Sequence, residues 1–356
     1  MIILGIETSC DETSAAAIKI IGGRIKILSN IVSSQIEIHK EFGGVVPEVA
    51  ARHHVQNIGW VIDRAISQSK IDYKKIDLMA VTAGPGLITS LIVGVEAAKA
   101  LSLAWQKPLV AINHMYGHIA ANFLSHLNPL LISPFVRGRK IRKGRGLSFP
   151  ALCLVVSGGH TELVLLKNYQ QYKKIGQTVD DAAGEAFDKV AKLLHLGYPG
   201  GPIVSQRAVD GDAAAFKFPR PMIESPNFNF SFSGLKTAVL YQSQKINLKN
   251  KQNVNDICAS FQQAVVDVLV GKTIKAAKKY KVKTVLLAGG VAANKELREK
   301  LRQESEKLEF NFLVPEFKLC TDNAAMIAIA AYYLSQKKMP KLNGWEKIKV
   351  DPNWEL

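Results

Sequence analysis

The pair of residues with the most specific chemistry is His114 and His118, four positions apart in a segment with a helical pattern. Residues four apart share one face of a helix, so two imidazoles can hold one metal ion. Two ligands leave a transition metal under-coordinated, and Asp322, at the start of the last long predicted helix, is our candidate for the third. The adjacent residues His53 and His54 diverge around a helix, and we interpret them as structural or surface residues.

Two short polar segments between predicted strands are typical of ligand-binding corners. Consecutive glycines in Ser157–Thr161 allow the backbone to approach a ligand, and successive amide N–H groups can point at a phosphate. The matching segment Glu7–Thr13 carries Asp11 and Glu12, whose carboxylates can position a metal, a water or an amine. A single Gly-Gly turn also fits an ordinary hairpin, so two equivalent corners are the stronger signal.

Two other segments have both a functional and a structural interpretation. A predicted strand runs through Gly289-Gly290 towards a helix at Asn294, which offers a helix N-terminus to an anion or a flat face to a nucleoside. Alternatively, the glycines only break the strand and Asn294 caps the helix. The segment 180–189 contains four acidic residues before the glycine-rich turn 197–202. Helix capping needs fewer acids, so ribose hydroxyls or a substrate ammonium are natural partners.

The hydrophobic pattern arranges these segments in two similar halves. The first half has predicted strands over 2–6, 14–20, 25–32, 78–83 and 109–112 and helices over 47–69, 89–105 and 114–126. The second has strands over 151–156, 161–167, 284–288 and 310–314 and helices over 182–195, over 256–280, from 293 and from 322. This order predicts a duplicated actin-like α/β fold (ASKHA, RNase H-like) with two lobes and a cleft between them. The first lobe spans 1–130 and is completed by a helix at about 322–345, a basic linker spans 131–149, and the second lobe spans 150–321.

Positive charge is concentrated in one part of the chain. The net charge is +16, and no acidic residue occurs between Glu96 and Glu162. This stretch contains six basic residues in nine positions, namely Arg137, Arg139, Lys140, Arg142, Lys143 and Arg145. Concentrated positive charge attracts phosphate backbones, so the segment is either a nucleic-acid-binding arm or a solvated surface. For the second basic run, between Lys272 and Lys283, we favour the solvated surface.

The remaining composition predicts a cytoplasmic protein. No apolar run approaches the ~20 residues of a membrane-spanning helix, and acidic residues follow the apolar start too soon for a signal peptide. The cysteines are scattered without a CxxC pair, and we interpret them as free thiols: Cys10, Cys153, Cys258 and Cys320.

Eight motifs, in order along nearly the whole chain, resemble the tRNA threonylcarbamoyladenosine transferase family, TsaD, in its bacterial branch. This family was once labelled Gcp or O-sialoglycoprotein endopeptidase. The motifs are GIETSCDETS at 5–14, HMYGHIAAN at 114–122, VSGGHTELV at 156–164, DDAAGEAFDK at 180–189, YPGGP at 198–202, FSFSGLKT at 230–237, LAGGVAAN at 287–294 and TDNAAM at 321–326.

The resemblance implies transfer of a threonylcarbamoyl group from threonylcarbamoyl-AMP to N6 of adenosine-37 in ANN-decoding tRNAs. It implies one iron or zinc ion on His114, His118 and Asp322, with Asp11 and Glu12 as the acidic corner where a proton is accepted. The substrate-binding positions that it implies are Val155, Val156, Ser157, Gly158, Gly159, Asp188, Gly201 and Asn294. The implied partners are a TsaB-like paralogue, a TsaE-like ATPase and a TsaC-like enzyme that supplies the adenylate.

One segment departs from the family pattern, and three other functions compete with the implied one. Bacterial members are shorter at 132–148, so we interpret the basic arm as an insertion that contacts the tRNA backbone. A small-molecule kinase of the same superfamily needs no metal on a His pair, and a non-catalytic actin-like partner protein needs neither the metal ligands nor the acidic corner. A metalloprotease is disfavoured because the chain lacks HExxH.

Overall fold

The computed structural model describes residues 1–127 and 147–356. The chain divides into two compact units, which we call unit 1 (Met1–Gly146 with Pro315–Leu356) and unit 2 (Leu147–Val314). The basic arm, with Arg137, Arg139, Lys140, Arg142, Lys143 and Arg145, lies outside the described residues.

Unit 1 is built on a five-stranded mixed sheet in the order β3-β2-β1-β4-β5. The central strand β1 is antiparallel to β2 and parallel to β4. The strands are β1 (Ile2–Glu7), β2 (Glu12–Ile21), β3 (Arg24–Ser34), β4 (Leu78–Gly84) and β5 (Leu109–Asn113). The helices are α1 (Ile36–Lys40), α2 (Pro47–Ser69), α3 (Ile88–Trp105), α4 (His114–Leu127) and, near the C-terminus, α10 (Ala324–Ser335).

Unit 2 repeats this topology around β6. Its sheet has the order β8-β7-β6-β9-β10, in which β6 is antiparallel to β7 and parallel to β9. The strands are β6 (Ala151–Val156), β7 (Thr161–Leu166), β8 (Tyr172–Gln177), β9 (Thr284–Ala288) and β10 (Asn311–Leu313). The helices are α5 (Ala183–Leu193), α6 (Gly200–Ala208), α7 (Ser233–Ser243), α8 (Lys251–Lys279) and α9 (Lys295–Lys307). The predicted duplicated α/β fold is confirmed.

Close packing of α10 on β1 positions the functional side chains of unit 1. Gly5 permits this contact, since a Cβ there would lie 2.3 Å from the carbonyl oxygen of Ala324. Asn323 caps α10 by accepting a hydrogen bond from the amide of Met326 at 3.1 Å. The amide of Ala324 donates to Ser14 Oγ at 2.9 Å, which ties the start of α10 to β2. Asp322, just before the cap, is therefore fixed beside the end of β1.

Four elements of unit 2 differ from the sequence prediction. Helix α8 begins at Lys251 rather than 256, because Asn250 caps it through the amide of Gln252 and its first turn is polar. Helix α6 begins at the glycine pair Gly200-Gly201, which a pattern analysis assigns to a turn. Helix α7 and strand β8 lack a regular apolar period and were not predicted.

Two helices among the described residues are long and apolar enough to cross a membrane, α3 and α8. This statement concerns only their length and composition. In α8, 78% of the apolar 18-residue segment is buried within the fold, as expected of a core helix, compared with 33% of the corresponding segment in α3.

Candidate active site

The three predicted metal ligands come together in unit 1. His114 and His118 lie one helical turn apart at the start of α4, and Asp322 precedes α10. Asp322 Oδ1 lies 3.4 Å from His114 Nε2 and 3.1 Å from His118 Nε2. One ligand atom from each residue falls within 4.8 Å of the other two, and both histidines are buried. This is the geometry of a three-ligand metal centre.

The donor atoms of this cluster fit a divalent transition metal. Both ring nitrogens of His118 are buried; Nδ1 has no hydrogen-bond partner among the described residues, and Nε2 faces the ligand atom Oδ1 of Asp322 at 3.1 Å. Two imidazoles and one carboxylate suit zinc or iron(II) and leave coordination positions open. Burial would raise the pKa of Asp322, but the imidazole of His114 holds it well below its usual range. The carboxyl group is therefore ionised, as a metal ligand requires.

The acidic turn between β1 and β2 contains Asp11 and Glu12, both largely buried. Burial and the neighbouring charge of Asp11 raise the pKa of Glu12 well above its usual value. Glu12 Oε1 also accepts from the hydroxyl of Ser34 at 3.2 Å. The raised pKa favours the protonated form of the Glu12 carboxyl. Burial and the charge of Asp11 also raise the pKa of Cys10, so its thiol stays neutral.

Helices α2 and α3 hold this turn in place. His54 on α2 is buried, with Nε2 2.9 Å from the carbonyl oxygen of Cys10 and Nδ1 2.8 Å from Thr13 Oγ1. On α3, the carbonyl of Ser90 accepts from the hydroxyl of Thr8 at 2.9 Å. The interpretation of His54 as a structural residue agrees with these contacts, although nothing in the sequence pointed to the acidic turn as its partner.

In unit 2, the corner between β6 and β7 offers two free backbone donors. The amide of Ser157 donates to the carbonyl of His160 at 2.8 Å, and the amide of His160 donates to Ser157 Oγ at 3.2 Å. Gly158 and Gly159 are exposed, and a Cβ at either would meet no atom within 4 Å. Within the predicted anion-binding corner Ser157–Thr161, the amides of Gly158 and Gly159 therefore belong to exposed backbone and make no hydrogen bond to another described residue. The side chains of Val155 and Val156 are fully buried, which leaves only their backbone for a ligand.

The glycine-rich start of α6 is positioned by Asp188. Its Oδ1 accepts from the amide of Gly200 at 2.7 Å. Gly200 packs tightly, since a Cβ there would lie 2.6 Å from the Cα of Asp188, whereas Gly201 faces open space. The structure thus brings Asp188 and Gly201 together, with Gly201 exposing a flat backbone surface.

Asn294 caps α9, as the structural interpretation expected. Its Oδ1 accepts from the amide of Leu297 at 2.9 Å. Its Nδ2 donates to Ser205 Oγ at 2.9 Å and to Gln262 Oε1 at 2.8 Å. The side chain therefore connects α6, α8 and α9 and supports the adjoining Gly290, where a Cβ would meet no atom within 4 Å.

The other acids of segment 180–189 have partners within unit 2. Asp180 accepts hydrogen bonds from Ser231 and Ser233 and from the amide of Phe232. Lys189 pairs with Asp181 at 2.7 Å and with Glu185 at 2.8 Å. These three carboxylates hold the fold together, so the excess of acids over capping has a structural explanation.

Solved structures place the fold in the actin-like class. HypF from T. kodakarensis superposes with a TM-score of 0.60 at 14% identity, over 94% of this chain. The chain spans 47% of the length of HypF. The activator of 2-hydroxyisocaproyl-CoA dehydratase from Clostridium difficile gives a TM-score of 0.50 at 13% identity, over 95% of this chain and 96% of its own. At these identities the likeness concerns the fold alone.

Sequence comparison identifies the family. The model of TsaD, tRNA N6-adenosine threonylcarbamoyltransferase, matches residues 26–142 and 136–329. The chain is 52% identical to the enzyme of this name from Syntrophomonas wolfei over 93% of its length and 92% of the relative's. It is 54% identical to that from Thermosipho africanus over 95% of each chain. The chain belongs to the tRNA N6-adenosine threonylcarbamoyltransferase family and is a transferase that modifies tRNA.

Proposed function

We propose that this transferase moves the threonylcarbamoyl group of threonylcarbamoyl-AMP to N6 of adenosine-37 in ANN-decoding tRNAs and releases AMP. The observation that carries the proposal is the buried cluster of His114, His118 and Asp322 beside the acidic turn, in a chain of this family. The reaction forms a C–N bond between the carbamoyl carbon and N6, breaks the bond from that carbon to the phosphate oxygen, and releases one proton.

His114, His118 and Asp322 would hold one Fe²⁺ or Zn²⁺ ion. When bound, the ion supplies Lewis-acid polarisation of the acyl phosphate and a template for orienting it. The residues themselves keep the ligand set dehydrated, since both imidazoles are buried.

The acidic turn is our candidate for the proton acceptor. An exocyclic adenine amine is a poor nucleophile, so its orientation and the removal of its proton supply much of the rate. Because the raised pKa of Glu12 favours its protonated form, Asp11 is the group we assign as acceptor.

Unit 2 supplies the donors and surfaces for the nucleotide part of the substrate. The free amides of Gly158 and Gly159 would bind phosphate oxygens and stabilise the charge that develops as AMP leaves. The open backbone at Gly201 and Gly290 suits the flat faces of ribose and adenine. Asp188 and Asn294 position these backbones, and Val155, Val156 and Ser157 form the strand and turn that present the amides.

The partners follow from the reaction and from the surface of unit 1. Threonylcarbamoyl-AMP must be made by a separate TsaC-like enzyme, and tRNA implies a cytoplasmic location. Helices α2 and α3 carry exposed apolar side chains at Val55, Trp60, Ile88 and Ile92, which suit a TsaB-like paralogue. A TsaE-like ATPase completes the proposed set. Val55→Glu with Ile92→Glu should weaken pairing with the paralogue at least tenfold, whereas Val209→Glu, an exposed apolar position of unit 2, should not.

The basic arm is our proposed additional contact with the tRNA backbone. Replacing Arg137, Arg139, Lys140, Arg142, Lys143 and Arg145 with serine should weaken tRNA binding and flatten its salt dependence. Binding of the adenylate should not change. An unchanged salt slope would refute this role.

The test of the reaction uses threonylcarbamoyl-AMP labelled in the threonine moiety. The labelled group should enter an ANN-decoding tRNA and should not enter the same tRNA with guanosine at position 37. Equal labelling of both tRNAs would contradict the proposed acceptor, and label released only as free threonine would contradict the transfer.

A further inference from the structure

Glu7 is a fully buried carboxylate beside the metal centre that the proposed reaction does not use. It is the last residue of β1 and has no exposed surface. Its Oε1 accepts from the amide of Ser9 at 2.5 Å, and its Oε2 accepts from the hydroxyl of Thr82 at 2.5 Å. Two protein donors thus fix the orientation of the carboxylate, one on each oxygen.

The third contact of Glu7 is with a metal ligand. Oε2 lies 3.0 Å from Nδ1 of His114. Both oxygens of Glu7 already accept from protein donors, so the carboxylate faces His114 as an acceptor. Nδ1 of His114 must then carry a hydrogen, because an unprotonated nitrogen would set its lone pair against a carboxylate oxygen. Ser9 Oγ, 3.0 Å from the same nitrogen, completes the surroundings of Nδ1.

A proton fixed on Nδ1 leaves Nε2 of His114 as the metal-binding atom. This is the nitrogen that faces Asp322, at 3.4 Å. Metal-binding histidines in general donate their second ring N–H to a carboxylate or carbonyl, and the partner sets the tautomer and raises the basicity of the ligand. His118 differs, because its Nδ1 has no hydrogen-bond partner among the described residues. The support for the ligand set is therefore asymmetric.

We propose that Glu7 is a positioning residue that sets the orientation and tautomer of His114 for metal binding. The inference rests on the proposed metal centre and deepens it. Glu7 itself is 0% exposed and its hydrogen-bond contact with the metal cluster is the one to His114, so we expect most of its effect on affinity to pass through that ligand.

Glutamine at position 7 tests this role with almost no change of shape. Its single carbonyl oxygen can face either Ser9 or His114. If this oxygen faces Ser9, the amide NH₂ of the glutamine points at Nδ1 of His114. Nδ1 must then accept, so the ring proton moves to Nε2 and blocks metal binding there. Facing His114, the oxygen sets NH₂ against the amide N–H of Ser9. Either arrangement removes part of the support for His114 that the carboxylate gives.

The first measurement is the zinc affinity of the full chain by competition with a chromophoric chelator. Glu7→Gln should weaken zinc binding roughly 10- to 100-fold. Glu48→Gln is the matched control, because it makes the same chemical change at an exposed glutamate of unit 1 that pairs with Arg52; we expect a change of less than about threefold. Circular dichroism and thermal unfolding establish that each variant is folded.

A double-mutant cycle separates positioning from a general loss of structure. In a His114→Ala background, Glu7→Gln should change zinc affinity by less than about twofold, because the ligand through which it acts is gone. In a His118→Ala background the full cost should remain. Equal costs in both backgrounds would overturn the proposal and indicate an unspecific effect.

The spectroscopic test is the imidazole proton of His114 in the zinc-loaded, ¹⁵N-histidine-labelled protein. We expect a slowly exchanging Nδ1–H, which Glu7→Gln should either abolish or make exchange faster. A proton on Nε2 in the wild type, or unchanged zinc affinity in Glu7→Gln, would overturn the inference while leaving the metal centre intact. Failure of the wild type to bind one zinc ion per chain would overturn both.

Discussion

Nε2 of His54 lies 2.9 Å from the carbonyl oxygen of Cys10, and Nδ1 of the same ring lies 2.8 Å from Thr13 Oγ1. A carbonyl only accepts, so Nε2 carries the hydrogen and Nδ1 accepts from the threonine hydroxyl. Burial lowers the pKa of His54, which favours this neutral form. One side chain of α2 therefore holds both ends of the acidic turn.

Replacing His54 with alanine should loosen that turn. We expect an unfolding free energy lower by about 1–3 kcal/mol, because buried polar partners lose their hydrogen bonds, and a kcat at least about tenfold lower, because acceptor geometry is disturbed. His53→Ala is the matched control, since His53 is the adjacent residue, is not fully buried and has no hydrogen bond to the turn. Steady-state kinetics with thermal unfolding compares them; equal effects would contradict a specific role for His54.

The two carboxylates of the acidic turn should respond differently to amide substitution. The raised pKa of Glu12 favours its protonated form, and Glu12→Gln reproduces that neutral side chain in nearly the same shape. We therefore expect activity within about tenfold of wild type. Asp11→Asn removes the assigned acceptor and should lower kcat by about 10²–10⁴. The transfer rate at saturating substrate measures both. The reverse order of effects would reassign the acceptor to Glu12.

Glu12→Gln should also change how the free energy of unfolding depends on pH. The pKa of Glu12 is raised above the 4.5 of an ordinary glutamate, so the folded state binds the proton more tightly than the unfolded state. Its contribution to stability is full below that value and is lost as pH rises through the folded-state pKa. The unfolding free energy of Glu12→Gln relative to wild type should therefore increase with pH above 4.5. Urea unfolding across pH measures this, and a difference independent of pH would contradict it.

Two adjacent glycines provide a test of the substrate surface in unit 2. Gly201→Ala should keep the thermal stability and raise KM for the adenylate by about tenfold, or ~1.4 kcal/mol, since its Cβ enters space open to a ligand. Gly200→Ala should instead lower stability by about 1–3 kcal/mol, because its Cβ would overlap the backbone of Asp188. An unchanged KM in a folded Gly201→Ala variant would remove this surface from the proposed site.

The sequence was sufficient for elements with a clear period or strong end signals. Helix α2 runs over Pro47–Ser69 as predicted, because proline marks its first turn and apolar residues recur at helical spacing. It was insufficient where a polar first turn follows a side-chain cap, as at Asn250, or where glycines begin a helix, as at Gly200. The start of α6 depends on Asp188, twelve residues earlier in the chain.

The candidate site could likewise be predicted from the sequence only in part. The spacing of His114 and His118 indicated a shared ligand, and Asp322 joins them because α10 packs on β1. The roles of Glu7 and His54 could not be predicted, since each depends on a hydrogen bond to a residue more than forty positions away. The acids around Asp180 suggested a ligand, and the structure shows that Asp180 accepts hydrogen bonds from Ser231 and Ser233.

The central claim is tested most directly by nucleoside mass spectrometry of tRNA treated with the purified chain. The reaction contains a TsaB-like partner, metal, threonylcarbamoyl-AMP and an unmodified ANN-decoding tRNA, and a variant with both His114→Ala and His118→Ala runs beside the wild type. The account predicts a threonylcarbamoyladenosine peak with the wild type and its loss with the variant. A peak of equal size from both would contradict the role of the metal centre, and no peak from the wild type would contradict the proposed transfer.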